Sequence, residues 1–236
     1  MELQAKDISK RYFRKTGSAN YFDAVRPLSL KLEPGTVTVL GGRSGSGKTT
    51  LLHMLGGLLA PTEGSVTLDG KDLYSLGDEE LSGLRSSTFG VIPQGRSVID
   101  TLTVMENLLL PGALRHRTIP AEEARGWLEK LGILHLAEAS AAELSGGELR
   151  RTAIARALCG KPPFILADEP TGDLDDENTK LVLQCFRQAA DKGAAVFIVT
   201  HESDVLQIAD RAFRMTGGEM TLLAGTESIG NDRIQM

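Results

Sequence analysis

The sequence predicts an α/β domain in which a parallel sheet is covered by helices, and three observations point to this fold class. Short apolar runs typical of buried strands alternate with longer stretches of helical periodicity. A glycine-rich loop separates one of these runs from the helix that follows it. The 236 residues suffice for one such domain or two small ones, and 41% of them are hydrophobic, which is enough for a core.

The first strand and helix of the sheet are predicted around the glycine-rich loop. Residues 37–40 form an apolar run typical of a buried strand, and a helix is expected from Thr49 to the glycines at 56 and 57. Residues 64–70 alternate in polarity and end in Asp-Gly, which predicts a strand closed by a turn.

Residues 76–158 differ from the segments on either side because helical patterns dominate there, which predicts a helical insertion between strands of the sheet. The β/α alternation then returns. We expect strands at 164–167 and 194–200, helices at 175–192 and 202–209, and a hairpin at 214–223 across two glycines. The last dozen residues are polar, and we expect them to be loose.

Charge and hydropathy exclude several classes of protein. The formal net charge of −5 does not suit a protein whose main task is to bind nucleic-acid phosphates. The basic cluster at residues 10–15 is interpreted as a solvated face. The N-terminus is charged, and no apolar run reaches the ~18 residues that span a bilayer. Work at a membrane would therefore need a separate anchor.

The two cysteines, Cys159 and Cys185, lie far apart in apolar, helix-like stretches and have no metal-ligand spacing. We expect both to be buried and reduced, as is typical of the cytoplasm.

The strongest motif is the phosphate loop, which we define as residues 42–49. Its glycines allow the backbone to curl so that several N–H groups point inward, and the helix that follows directs its positive end to the same place. Lys48 adds a full charge for the β- and γ-phosphates, and the Thr49 hydroxyl can bind Mg²⁺. The predicted ATP-binding residues here are Gly42, Arg43, Ser44, Gly45, Ser46, Gly47, Lys48, Thr49 and Thr50.

Two carboxylates follow the apolar run at residues 164–167. Ligands of open α/β sheets bind at the carboxyl ends of the strands, where Asp168 and Glu169 are expected. Asp168 is predicted to hold Mg²⁺ through water, and Glu169 to accept a proton from an attacking water.

A third motif begins another helix. Ser145 and Glu148 have the spacing of a capping box, and Gly146 and Gly147 between them leave an open anion site at the helix N-terminus. The chain already has one phosphate loop. We therefore expect this segment to meet the γ-phosphate of ATP held by another copy.

Together these motifs resemble, in order and over nearly the whole chain, the nucleotide-binding subunit of an ABC transporter. Residues 42–49 resemble its Walker A loop and residues 164–169 its Walker B strand. Residues 144–148, here called the signature segment, resemble the family signature, with Glu148 where glutamine is commoner. The resemblance implies ATP hydrolysis to ADP and phosphate, with Mg²⁺.

The resemblance also implies an architecture: a P-loop NTPase (RecA-like) parallel-sheet core, an N-terminal antiparallel β lobe and a helical signature subdomain. Its boundaries within a single 1–236 ATPase domain are core lobes at 1–93 and 160–225, a helical subdomain at 94–159 and a loose tail at 226–236.

Further roles come from the resemblance alone. Gln94 resembles the Q-loop glutamine, which binds Mg²⁺ and contacts the membrane partner, and Asp175 ends a segment resembling the D-loop, with Asp173 where asparagine or alanine is usual. His201 resembles the switch histidine that contacts the γ-phosphate. The aromatic residue that stacks on adenine is expected to be Tyr12, with Phe13, Tyr21 and Phe22 as alternatives.

Segments at 50–57, 102–108 and 167–172 resemble one branch of the family, the ATPases for lipoprotein release, macrolide or antimicrobial-peptide export, and cell-division signalling. The implied partners are a second copy in a head-to-tail, ATP-dependent dimer and a membrane permease with four transmembrane helices and a large extracytoplasmic domain. The resemblance therefore also implies a location on the cytoplasmic face of the inner membrane.

Two other classes of protein are weighed against this one. A soluble ABC-type ATPase acting on ribosomes or DNA is disfavoured because the chain lacks a second ATPase unit and a basic charge. A P-loop kinase would need no signature segment, and the Asn-Lys-x-Asp of a GTPase is absent.

Overall fold

The computed structural model describes residues 1–13, 21–114 and 117–224. Within them the elements in chain order are β1 Leu3–Phe13, β2 Tyr21–Leu32, β3 Val37–Gly41, α1 Lys48–Leu55, β4 Glu63–Leu68, β5 Lys71–Asp72, α2 Asp78–Thr88, β6 Phe89–Ile92, α3 Val104–Ala113, α4 Ala121–Lys130, α5 Gly146–Leu158, β7 Phe164–Asp168, α6 Asp176–Asp191, β8 Ala195–Thr200, β9 Arg211–Thr216 and β10 Glu219–Ala224.

Two sheets carry these strands. One sheet has the order β10-β9-β3-β8-β7-β6, in which β9, β3, β8, β7 and β6 run parallel and β10 pairs antiparallel at the edge. The other is antiparallel, with the order β2-β1-β4-β5. The predicted parallel core and N-terminal antiparallel lobe are both present.

The parallel sheet divides the apolar core between its two faces. Along β8, Val196 and Ile198 join a cluster that includes apolar residues of α3 to α6, whereas Phe197 and Val199 join a cluster with α1 and the antiparallel sheet. Successive strand residues point to opposite faces, so one buried strand serves both clusters. The carboxyl ends of β3, β7 and β8 consequently meet at one edge, where the loops that follow them come together.

One prediction about the elements was wrong. The helical insertion expected at 76–158 contains β6, which pairs with β7 at the edge of the parallel sheet. The strand is only four residues long, and Phe89 and Ile92 are buried in different clusters. Gly90 allows the carbonyl of Ala157 to approach, since a Cβ there would lie 2.3 Å from that oxygen. Such a short run carries no clear periodicity.

The remaining differences are small. The helix expected at 202–209 is a short 3₁₀ turn at Asp204–Ile208, and the expected hairpin begins earlier, at Arg211. Gly217 and Gly218 form its two-residue turn, both with positive φ. The tail expected to be loose, 226–236, lies outside the described residues.

Candidate functional site

A cavity of about 470 Å³ lies at the carboxyl edge of the parallel sheet. It brings together the phosphate loop, both carboxylates after β7 and the residue after β8. Its lining residues are Tyr12, Phe22, Ala24, Ser44, Gly45, Ser46, Gly47, Lys48, Thr49, Thr50, Gln94, Asp168, Glu169 and His201. A neighbouring cavity of about 680 Å³ shares part of the loop and is also lined by Gly42 and Arg43.

The phosphate loop depends on glycine at position 47. Gly47 has φ +109, and a Cβ there would lie 2.0 Å from the carbonyl oxygen of Ala24. It is also the N-cap of α1 and provides no side-chain hydrogen bond to the first turn. The N–H groups of that turn have no partner within the helix, so they are suited to bind an anion.

Lys48 is buried although it is charged, with 6% of its surface exposed. Its Nζ donates to the carbonyl oxygens of Gly42 at 2.6 Å and Arg43 at 3.2 Å, and lies 3.6 Å from Oε1 of Glu169. These contacts hold the ammonium group against the loop, where it provides positive charge beside the amides.

Asp168 ends β7 with 1% of its surface exposed, and neither carboxylate oxygen has a hydrogen-bond partner among the described residues. Burial raises the pKa of this carboxyl by more than the nearby Thr49 hydroxyl lowers it, and the charge of Glu169 raises it further. Unpaired buried carboxylates are costly unless they bind a cation or a proton. Asp168 lines the cavity together with the hydroxyl-bearing Thr49, and such oxygen donors fit Mg²⁺.

Glu169 and His201 are joined directly. Oε2 of Glu169 accepts hydrogen bonds from the main-chain N–H of His201 at 3.1 Å and contacts its Nδ1 at 2.9 Å. Burial works to raise the pKa of Glu169, but the hydrogen bonds from His201 and Thr200 outweigh it, so the pKa lies below its usual range. The carboxylate is therefore ionised at neutral pH and able to accept a proton.

An aromatic pair forms one wall of the cavity. Tyr12 of β1 stacks on Phe22 of β2, with ring centroids 5.6 Å apart and planes 25° from parallel. Phe13 and Tyr21 form a separate edge-to-face pair, with centroids 5.4 Å apart. They are not among the residues lining the cavity. The structure thus brings Tyr12 and one of its three alternatives, Phe22, to the phosphate loop.

The signature segment has the predicted capping box. Ser145 Oγ accepts from the N–H of Glu148 at 3.4 Å, and Glu148 Oε2 accepts from the N–H of Ser145 at 2.8 Å. The Ser145 hydroxyl also donates to Glu148 Oε2 at 2.7 Å, and this hydrogen bond, together with the one from the Ser145 N–H, lowers the pKa of Glu148. Within one copy, the described lining of the phosphate-loop cavity does not include this segment, and Gly146 instead lines a separate cavity with Gly95 and Asp173.

The expected D-loop residue Asp175 lies at a helix start. Its carboxylate caps α6 by accepting from the main-chain N–H of Asn178 at 2.8 Å, and from the side chain of the same residue. The cap explains the local structure without a ligand.

One residue beside the site was missed from the sequence. Arg150 of α5 has 6% of its surface exposed, and it reaches the backbone around Asp168 and Glu169. The sequence does contain a signal for this residue. Arg150 lies on the apolar stripe of its helix, three, four and seven residues before Ala153, Ile154 and Ala157, which indicates that its side chain is buried. An arginine on such a stripe needs buried partners.

The described helices include none with the length and apolar character needed to cross a bilayer. Nor do the described residues contain a group of three or more histidines, cysteines, aspartates or glutamates that could hold a metal ion.

Comparison with known proteins agrees with the geometry. The sequence profile described as "ABC transporter" matches residues 25–172. A lipoprotein-releasing system ATP-binding protein, LolD of Myxococcus xanthus (strain DK1622), is 36% identical over 222 residues, covering 93% of this chain and 98% of that protein. A macrolide export ATP-binding/permease protein, MacB of Bdellovibrio bacteriovorus, is 37% identical over 216 residues, covering 92% of this chain but 33% of that protein.

Solved structures give the same result. The dimeric structure of MJ0796, a bacterial ABC transporter cassette, matches with a TM-score of 0.84 at 32% identity, covering 94% of this chain and 99% of that one. The dimeric post-hydrolysis state of the same cassette, bound to ADP and Pi, matches equally well. The chain therefore belongs to the ABC transporter family, as an ATP-binding subunit that hydrolyses ATP.

Proposed function

We propose that two copies of the chain pack head to tail and hold each Mg·ATP between the phosphate loop of one copy and the signature segment of the other. Two observations support this. Lys48 and the amides of α1 offer one anion site, and the N-terminus of α5 offers a second that lies outside the same cavity. The MJ0796 cassette, which covers nearly the whole chain, is a dimer.

In this arrangement the γ-phosphate joins the two copies, and its hydrolysis lets them separate. Glu169 accepts the proton of the attacking water, while His201 orients the Glu169 carboxylate and contacts the γ-phosphate. Lys48 stabilises the charge that develops on the transferred group. The contact between Glu169 and His201 is the observation that carries this assignment.

We assign Mg²⁺ to the oxygen atoms of Thr49, Asp168 and Gln94, which line one cavity. The buried, unpaired carboxylate of Asp168 is the observation that fits the ion. When bound, Mg²⁺ offsets negative charge on the β- and γ-phosphates. Adenine stacks on Tyr12, which its partner Phe22 holds in place. Asp175 fixes the D-loop by capping α6, and the neighbouring Leu174 lies beside Gly147 of the signature segment.

The opening and closing of the dimer drive conformational change in a membrane permease. The LolD and MacB relatives support a partner that performs export, extraction or force transmission. We propose that it is of the four-helix type with a large extracytoplasmic domain, and that the chain lies on the cytoplasmic face of the inner membrane. The loop around Gln94, exposed at the end of β6, is the proposed contact.

The catalytic assignment is tested with Glu169→Gln. The variant is expected to bind ATP with an affinity within a few-fold of the parent, to dimerise with ATP, and to hydrolyse it at least about 100-fold more slowly, since its amide cannot accept the proton. Glu79→Gln, on the exposed first turn of α2, is the matched control and should keep the parental rate. Hydrolysis by Glu169→Gln at the parental rate would remove Glu169 from this role.

The partner is tested by affinity capture. Tagged Glu169→Gln with Mg·ATP is incubated with detergent-solubilised membranes of the source cell, and the bound proteins are identified by mass spectrometry. A polytopic protein with a large extracytoplasmic domain is expected. Recovery of ribosomal or DNA-repair proteins without any membrane protein would instead favour a soluble ABC-type ATPase.

A further inference from the structure

The guanidinium group of Arg150 is buried beneath the candidate site, and its hydrogen bonds within the described residues all go to main-chain carbonyl oxygens. Buried arginines usually face carboxylates or phosphates. Here the donors of the planar fork are divided between two loops that meet at the carboxyl edge of the sheet. Arg150 thereby links α5 to both loops.

The first loop follows β7. Nη2 donates to the carbonyl oxygens of Asp168, at 2.6 Å, and of Glu169, while Nε donates to that of Pro170 at 3.2 Å. Three consecutive peptide groups thus bond to one rigid group. Their orientation is fixed by the plane of the guanidinium.

Glu169 needs this constraint because its backbone is strained. Its φ of +46 lies in the left-handed region, which is unfavourable for a residue with a side chain and persists only where the surroundings hold it. In this conformation the carboxylate contacts His201 and lies 3.6 Å from Lys48 Nζ. The backbone that Arg150 holds therefore aims the side chain proposed to accept the proton.

The second loop follows β6. Nη1 donates to the carbonyl oxygen of Pro93 at 2.7 Å and lies 3.5 Å from that of Gly95, so it contacts both neighbours of Gln94. Gln94 lines the same cavity as Glu169. The Arg150 side chain thus binds the main chain on both sides of Gln94 and also the main chain of residues 168–170, which includes Glu169.

We propose that Arg150 is a positioning residue for ATP hydrolysis, which sets Glu169 and Gln94 at their working separation through the main chain. Arg150 is not among the residues that line the phosphate-loop cavity of its own copy. This inference rests on the proposed role of Glu169 as proton acceptor. Its physical basis is that catalysis requires a near-attack geometry, and small displacements of a catalytic group reduce turnover more than binding.

A structural role alone would predict similar effects from other arginines of α5 that are at least partly buried, and the half-buried Arg156 provides that comparison. It lies on the same helix and donates to the carbonyl oxygen of Ser97 at 2.8 Å and to its hydroxyl at 3.2 Å. Burial lowers the pKa of both arginines. Arg156 makes no hydrogen bond to residues 168–170 among the described contacts.

The test compares Arg150→Met with Arg156→Met in the full chain. Thermal midpoint, ATP affinity, KM and kcat are measured for both and for the parent. Both variants are expected to lose stability. Arg150→Met should lower kcat at least about 10-fold with KM and ATP affinity within about threefold, whereas Arg156→Met should keep kcat within about twofold.

Equal kcat values for the two variants, or a loss in Arg150→Met that follows lost ATP binding, would overturn the proposal. If Arg150→Met does not fold, Arg150→Lys is measured by the same criteria, because an ammonium group lacks the planar fork that bridges both loops. Glu169→Gln is assayed in parallel. If Glu169→Gln hydrolyses ATP at the parental rate, the role of Glu169 is rejected. If Glu169→Gln is inactive but the two arginine variants have equal kcat values, only the role of Arg150 is rejected.

Discussion

At the scale of the residue, Asp168 illustrates how a functional group opposes stability. Its carboxylate is buried at the end of β7 with no hydrogen-bond partner among the described residues. A side chain chosen for stability alone would be apolar or paired there. We therefore explain the presence of this destabilising carboxylate by the Mg²⁺ ion that we propose it binds.

We predict that Asp168→Asn stabilises the protein without nucleotide or Mg²⁺ by on the order of 1 kcal/mol at pH 7 while abolishing hydrolysis, because it removes a buried charge. Burial raises the pKa of Asp168, so its ionisation costs stability as the pH rises. The advantage of the variant should be small near pH 4 and widen towards neutrality. Thermal unfolding across this range checks it, and a variant less stable than the parent at pH 7 would contradict it.

The sequence predicted individual residues well where one motif carries both local structure and chemistry. Ser145 and Glu148 have the spacing of a capping box, which the structure contains. Gly47 and Lys48 lie within a motif whose backbone requirements are strict. Arg150 was missed because its partners are carbonyl oxygens of two distant loops, and a sequence pattern does not reveal where main-chain groups converge.

At the scale of the element, helices and strands were predictable in proportion to their length. The 16-residue α6 was expected almost to its ends, whereas the four-residue β6 was assigned to a helical insertion. The pairing of β6 with β7 is a tertiary contact, which overrides weak local preference. Neither sheet order nor the position of β6 at the edge could be read from periodicity.

The start of α3 depends on one buried amide. Asn107 is fully buried, and its Oδ1 accepts from the N–H of Ile99 at 2.9 Å while its Nδ2 donates to the carbonyl oxygens of Ile99 and Thr103, both at 3.0 Å. The Asn107 side chain thus provides the hydrogen-bond partners that main-chain groups of the preceding loop would otherwise find in a helix or sheet.

We predict that Asn107→Leu destabilises the fold by about 2–4 kcal/mol, because it leaves buried main-chain groups of that loop without partners. Denaturant unfolding measures this loss. Glu106→Gln, which retains the capping box with Thr103, should cost less than about 0.5 kcal/mol and serves as the control. A leucine variant as stable as this control would show that the amide is not needed.

At the scale of the whole molecule, the parallel sheet separates the apolar core into a helical side and a side shared with the antiparallel sheet. The cavity lies at the sheet's carboxyl edge, where loops from both sides meet. Both cysteines, Cys159 and Cys185, are free and buried on the helical side. Burial raises the pKa of Cys159 to about 12 and that of Cys185 to about 11.

Because both thiols are buried on one side of the sheet, the rate at which they react with a reagent reports local opening of that side. A thiol-specific reagent should label Cys159 and Cys185 at least about 100-fold more slowly than a free thiol at pH 8, because only the accessible thiolate reacts. Mass spectrometry follows the labelling, and urea-unfolded protein provides the fast reference. Labelling of the native chain at the reference rate would contradict this. If labelling is slower than the reference, its rate measures how often the helical side of the sheet unfolds locally, and the native cysteines serve as the probe.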